Sequence, residues 1–247
     1  MDKLLNNKII IVTGGNGLLG KEIVKEIIEN GGFCINMDIN NETTEDLSLI
    51  KCDITDKISI DFSLNLILKR YNKIDGLVNN AYPRTSDWGD KFEDVKYSSW
   101  KENVDYQLNS YFYVSQQVSK FMMKQKSGSI INLASVYGVV GPDFSVYDNT
   151  EMTMPVAYSA IKGGIINLTR YLASYLGKYN INVNTVSPGG ILNNQNPVFV
   201  ENYNNKVPMR RMGLPNDISP SIIFLLSSGA KYITGQNIII DGGWTAI

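Results

Sequence analysis

The chain has 247 residues, 43% of them hydrophobic, which is enough for one large α/β domain with a buried core. Its 23 basic and 24 acidic residues leave a net charge of −1 with no basic run, so neither nucleic acid nor a membrane surface is an expected partner, and a small-molecule substrate is. Histidine is absent, which excludes histidine triads and histidine metal ligands and leaves acid–base chemistry near neutral pH to Tyr, Lys, Asp or Glu.

No stretch approaches the roughly 20 apolar residues of a membrane span, and the N-terminus carries no long apolar segment, so a cytoplasmic location is expected. Cys34 and Cys52 lack Cys-x-x-Cys spacing. They read as core thiols on neighbouring strands, with no metal site.

Residues 8–13 form a short β-branched run, the pattern of a buried parallel strand. Gly14-Gly15-Asn16-Gly17-Leu18-Leu19-Gly20 follows, then a helical period through Ile23, Ile27 and Ile28 to the stop at Asn30-Gly31-Gly32. A glycine turn between strand and helix allows close backbone approach and offers the helix N-terminus to a pyrophosphate, so a dinucleotide site is expected here. The second strand, 33–37, ends at Asp38, where a carboxylate hydrogen-bonds the ribose of NAD and repels the 2′-phosphate of NADP, although it also suits a solvated strand cap. No Lys or Arg follows at once, so NAD is the expected cofactor. A third strand, 49–52, leads to Asp53-Ile54, read either as an adenine contact or as a turn-initiating Asp.

A helical period over 58–70 returns to a fourth strand at 74–78 that ends in Asn79-Asn80-Ala81, where amides can both tie the sheet and border a cofactor. Residues 82–98 read as a loop. The periodicity then predicts one helix over 99–124, apolar around much of its circumference. A fifth strand, 129–133, delivers Ser135 at its C-terminal end, where ligands sit in open parallel sheets. Residues 136–157 and 190–210 are expected to be substrate loops, the second Asn-rich and irregular to Val207. A sixth strand, 181–186, leads into Ser187-Pro188-Gly189-Gly190-Ile191, a helix follows Pro215, and the last strand spans 237–240.

If 158–172 is helical, Tyr158 and Lys162 lie one turn apart on one face. A neighbouring ammonium favours the phenolate and lowers the tyrosine pKa, so the pair is a candidate proton carrier, although Y-x-x-x-K alone also describes a solvated aromatic and cation.

Taken together, Thr13-Gly14 with Gly17 and Gly20, Asp38, Asp53, Asn79-Asn80-Ala81, Asn109, Ser135, Tyr158 with Lys162, and Pro188-Gly189 resemble the short-chain dehydrogenase/reductase family, classical type, over essentially the full chain. The resemblance implies a single-domain Rossmann-type doubly wound parallel sheet of about seven strands, order 3-2-1-4-5-6-7, assembled as a homodimer or homotetramer. It implies that Tyr158 exchanges the proton with the substrate oxygen, Ser135 hydrogen-bonds that oxygen, Lys162 lowers the Tyr158 pKa and holds the nicotinamide ribose, and Asn109 supports a water leading to Lys162. The cofactor set it implies is Gly14, Asn16, Gly17, Leu18, Gly20, Asp38, Asp53, Ile54, Asn80, Ala81, Tyr158, Lys162, Pro188, Gly189 and Ile191.

Four features depart from the family pattern. Leu18 replaces a glycine, Tyr82 follows Asn79-Asn80-Ala81 where a glycine is usual, the 23-residue interval from Ser135 to Tyr158 is long, and Asn193 stands where a Thr is common. The segments 80–84, 158–170 and 232–245 are similar to flagellin-modification reductases associated with legionaminic-acid-type sugar synthesis. That likeness implies a sugar or amino-sugar substrate lined by Tyr82, Arg84 and Tyr147, with surface salt bridging as the other reading of Arg84, Arg210 and Arg211. The expected activity is NAD-dependent interconversion of an alcohol and a ketone. A non-catalytic NAD-binding subunit, or an epimerase or lyase with retained NAD, is the alternative.

Overall fold

Side-chain alternation along the strands decides which helices cover which face of the sheet. The computed structural model describes residues 3–247. In β1 (Ile9–Thr13), Ile11 enters one core, whereas Ile10 and Val12 enter the other. The first core is completed by α2 (Lys57–Tyr71) through Ile60, Leu64 and Ile67, by α4 (Ser110–Gln125) through Val114, Val118 and Met122, and by α5 (Val156–Leu176) through Leu172 and Leu176. The second is closed by α1 (Leu18–Glu29) through Ile23 and Ile27, and by α7 (Pro215–Leu226) through Ile218, Ile222 and Leu226.

The remaining strands are β2 (Phe33–Asp38), β3 (Leu49–Lys51), β4 (Gly76–Asn79), β5 (Gly128–Leu133), β6 (Ile181–Pro188) and β7 (Asn237–Ile240). All pairings are parallel and the order is β3-β2-β1-β4-β5-β6-β7, the doubly wound single-domain architecture expected from the sequence. The order reverses between β1 and β4, which opens a crevice at their C-terminal ends. Cys34 and Cys52 are free and buried, but they enter opposite cores. Among the described residues, no helix is long and apolar enough to cross a membrane.

Two expectations need correction. The single helix over 99–124 is divided into α3 (Tyr97–Val104), a π-helical turn at Asp105–Asn109, and α4. The backbone stays right-handed through the turn, so apolar periodicity reads as unbroken although one extra residue shifts the phase by about 100°. The second is the segment 190–207, expected to be irregular, which contains α6 (Pro197–Lys206). Asn196 caps it by accepting from the Val198 N–H at 2.9 Å, Pro197 occupies the first turn, and Phe199 and Tyr203 are buried one turn apart.

Candidate active site

The C-terminal ends of β1, β4, β5 and β6 open into one cavity of ≈ 780 Å³. At β1, Gly14 adopts φ +66°, and a Cβ there would sit 2.6 Å from the Ala81 Cα, so only glycine lets the turn reach the β4 end. A Cβ on Gly20 would run into the Gly14 carbonyl oxygen; Gly20 thus packs α1 against the turn and does not line the cavity. Helix α1 starts at Leu18 from Gly17, which provides no side-chain cap, so its first N–H groups are available to an anion. Leu18 lines the cavity in the position where glycine is usual.

The turn is fixed by amides. Asn16 Nδ2 donates to Asn41 Oδ1 at 2.8 Å, Asn36 Nδ2 donates to Asn16 Oδ1 at 2.9 Å, and Asn41 Nδ2 donates to the Asn36 carbonyl at 2.8 Å. The buried Asp38 accepts the backbone N–H of Asn16 and of Asn40, each at 3.0 Å, which places its carboxylate at the rim of the same cavity. Asp53 and Ile54 line this end as well, and Asp53 also forms the turn bonds of the structural reading, accepting from the Thr55 N–H at 2.8 Å. At the β4 end, Asn80 Nδ2 donates to the Gly14 carbonyl at 2.9 Å, and Ala81 and Tyr82 face the cavity.

A buried polar chain seats α5 on the sheet. Asn79 Nδ2 donates to Asn132 Oδ1 at 2.8 Å and to Ser115 Oγ at 2.9 Å. Asn132 Nδ2 donates to Thr169 Oγ1 at 2.9 Å, and Thr185 Oγ1 donates to Thr169 Oγ1 at 2.8 Å. On α5, Tyr158 and Lys162 share a face, with the Lys162 Nζ 5.5 Å from the Tyr158 ring centroid. Lys162 donates to the Leu133 carbonyl at 2.9 Å, which aims it at the β5 end beside Ser135. Ser135 Oγ accepts the Tyr137 N–H at 3.2 Å.

Burial, and not the lysine, is the largest influence on the Tyr158 phenol: it raises the pKa above the ordinary tyrosine value, and hydrogen bonding to the Ser135 hydroxyl opposes the rise. Burial likewise pushes the Lys162 ammonium down to about 7. The expectation that Lys162 lowers the Tyr158 pKa is thus not what these surroundings produce, because a lysine whose own charge is disfavoured is a weak electrostatic partner.

Asn109 is corrected too. It is exposed, donates to Asp105 Oδ1 at 2.9 Å, and does not line the cavity, because the π turn rotates it outward. Gln107 is buried instead, with Nε2 donating to the Pro83 carbonyl at 3.0 Å and Oε1 without a partner. The Tyr111 ring lies 5.7 Å from the Lys162 Nζ, and its buried hydroxyl is likewise unpartnered.

Tyr82 packs edge-on against Tyr158, ring centroids 5.8 Å apart, and against Trp88 at 5.8 Å. Arg84 and Tyr147 also line the cavity. Tyr147 stacks on Phe199 at 5.2 Å, and Tyr203, whose hydroxyl accepts the Gly190 N–H at 2.6 Å, stacks on Trp244 at 4.6 Å. Burial pushes the Tyr147 phenol up to about 12. Pro188, Gly189, Ile191 and Asn193 close the β6 side. Arg211 forms the expected ion pair, with Asp217 at 2.6 Å, while Arg210 donates to the Asn205 carbonyl. Gln107, Tyr111, Tyr137, Phe199 and Tyr203 join the site without belonging to any of the motifs above. The signal for Gln107 is a pair of amides, Asn103 and Gln107, set between Trp100 and Tyr111 at helical spacing.

The family model described as enoyl-(acyl carrier protein) reductase matches residues 19–245. The chain is 39% identical to post-translational flagellin modification protein A of Campylobacter coli, over 98% of this chain and 99% of that one. It is 33% identical to 7alpha-hydroxysteroid dehydrogenase of Bacteroides fragilis, over 97% and 95%. Among solved structures, a short chain dehydrogenase from Leptospira borgpetersenii with bound NAD+ superposes with a TM-score of 0.88 at 36% identity, covering 99% of this chain and 95% of that one. With the parallel sheet order and the cavity at its switch point, these likenesses show that the chain belongs to the classical short-chain dehydrogenase/reductase family of oxidoreductases.

Proposed function

We propose that the protein uses NAD to interconvert a secondary alcohol and a ketone on a sugar or amino-sugar derivative, with Tyr158 as proton donor and acceptor. The observation that carries this reading is the convergence of Tyr158, Lys162 and Ser135 on one wall of a cavity whose far end holds the glycine turn and Asp38. The chain fits NAD on its own geometry. The uncapped α1 N-terminus and the Gly14 turn would hold the pyrophosphate, Asp38 the adenosine ribose, Asp53 and Ile54 the adenine end, and Lys162 the nicotinamide ribose. Asn80 and Ala81 would border the cofactor and Ile191, after Pro188-Gly189, its carboxamide. Residues 36–42 include no Lys or Arg to accept a 2′-phosphate.

Bound NAD supplies the hydride chemistry. In the reducing direction, Tyr158 donates its phenolic proton to the carbonyl oxygen of the substrate and the Ser135 hydroxyl hydrogen-bonds the same oxygen; oxidation reverses the transfer. Burial keeps Tyr158 protonated until the substrate oxygen develops charge, which suits a proton donor.

The sugar reading is supported by the lining, which combines the aromatic side chains of Tyr82, Tyr147 and Phe199 with the amides of Asn193 and Gln195, and it fits a chain similar to a flagellin modification protein. Exposed Phe112 on α4, with exposed Tyr171 and Tyr175 on α5, supports assembly as a homodimer or homotetramer through these helices. A screen of NADH absorbance change over sugars, amino sugars, nucleotide sugars, a hydroxysteroid and a 3-oxoacyl thioester tests the proposal. Turnover in a carbohydrate arm is expected. Turnover only with the steroid or acyl substrate overturns the sugar assignment, and NAD binding without turnover favours a non-catalytic subunit.

A further inference from the structure

The segment after β4 is fastened on both sides of Arg84. Gln107 Nε2 donates to the Pro83 carbonyl at 3.0 Å, and the Thr85 N–H donates to Asn103 Oδ1 at 3.1 Å. Asn103 Nδ2 adds a bond to Thr85 Oγ1 at 2.8 Å. The backbone that presents Arg84 is therefore held by α3 and the π turn, while its side chain reaches the cavity mouth.

Among the described residues, two cations line the cavity, Lys162 and Arg84. Lys162 is buried at the floor and bonded to the Leu133 carbonyl, which leaves Arg84 as the permanent positive charge of the substrate end. The carboxylates of the lining, Asp38 and Asp53, lie at the β2 and β3 ends. Ion pairs among the described residues engage Lys25, Lys73, Lys206 and Arg211, and none engages Arg84. The carboxylate next to it in sequence, Asp87, accepts from the Ser99 hydroxyl at 2.7 Å. What Arg84 does touch is Tyr82: its Cζ stands 5.5 Å from the ring centroid, and that ring in turn packs edge-on against Tyr158. An exposed guanidinium beside an aromatic ring and outside every ion pair among the described residues suits a planar or tetrahedral oxyanion held in two-point fashion.

Resting on the oxidoreductase reading above, we propose that the substrate carries an anionic group, a phosphate or a carboxylate, which Arg84 holds at the cavity mouth one aromatic ring away from Tyr158. Tyr82 is then a specificity element with two faces, one fixing the guanidinium and one bordering the proton carrier.

Calorimetric titration of the NADH-saturated protein with glucose 6-phosphate, glucuronate and glucose tests this, comparing the unaltered chain with Arg84→Gln and Arg84→Lys. Saturation with NADH occupies the cofactor's own phosphate-binding turn. The anionic probes should bind at least about 10-fold more tightly than glucose, and Arg84→Gln should remove that advantage while leaving NADH affinity unchanged. Arg84→Lys should retain part of it for the phosphate, because a point charge replaces the fork. Preference for glucose 6-phosphate over glucuronate identifies a phosphate, and the reverse a carboxylate. Equal affinity for glucose, no measurable binding of either anion, or an anion advantage that survives Arg84→Gln would overturn the proposal. Failure of the unaltered protein to bind NADH would overturn the oxidoreductase reading instead, so the two failures are distinguishable.

Discussion

Lys162 shows how a residue legible in sequence acquires its behaviour only from its surroundings. Y-x-x-x-K spacing places the ammonium beside the phenol, but the seat of the ammonium among the Tyr82, Tyr111 and Tyr158 rings is a tertiary fact. Burial lowers its pKa from 10.5 to about 7, so between those values the unfolded chain binds a proton that the folded one does not. Stability contributed through this group therefore rises with pH above about 7 and is flat below it. Denaturant unfolding should show the unaltered protein gaining on Lys162→Met by on the order of 2 kcal/mol between about pH 7 and 9; a constant difference would contradict this. Asp38 offers a second residue-level test. Asp38→Ala should weaken NAD binding and narrow its preference over NADP by about 10-fold or more, measured as the ratio of dissociation constants, whereas a wider preference would contradict the ribose role.

At the scale of elements, the strands and the glycine turn after β1 were readable because a buried parallel strand is a continuous apolar run and a glycine turn punctuates it. Asn109 and α6 were not, for opposite physical reasons. The π turn inserts a residue without breaking the apolar pattern, so the change of phase that exposes Asn109 and buries Gln107 leaves little trace in composition. In α6 the Asn-rich surface masks a helix whose stability comes from tertiary burial of Phe199 and Tyr203. Phe199→Ala should therefore cost about 3 kcal/mol and loosen the Tyr147 wall, with a raised KM and a smaller effect on kcat. The amide chain from Asn79 to Thr185 is the other element-level device. Asn132→Leu leaves the buried Asn79 amide short of an acceptor and Thr169 short of a donor, and should cost about 2–4 kcal/mol in denaturant unfolding. A cost below about 1 kcal/mol would show that α5 is seated by its apolar face alone.

Across the whole molecule, the reversal of strand order between β1 and β4 brings three separately encoded parts together: the glycine turn with Asp38, the Tyr82–Arg84 segment, and the helix bearing Tyr158 and Lys162. The family and its oxidoreductase activity were legible because the glycine turn, Asp38, Ser135, Tyr158 and Lys162 stand in one order along the chain. The substrate was not, because its walls come from residues far apart in sequence that meet only when the insertion before α5 folds onto α6. Lys206 pairs with Asp143 at 2.9 Å there, and Asn202 Nδ2 donates to the Asp148 carbonyl at 3.1 Å. The proton role proposed for Tyr158 would join these parts into one activity, and it is tested most directly by Tyr158→Phe, with steady-state NADH turnover on the substrate found by screening read beside calorimetric NADH affinity. The account predicts a loss of kcat of about 10²–10⁴-fold with NADH affinity unchanged; turnover equal to that of the unaltered protein would contradict it.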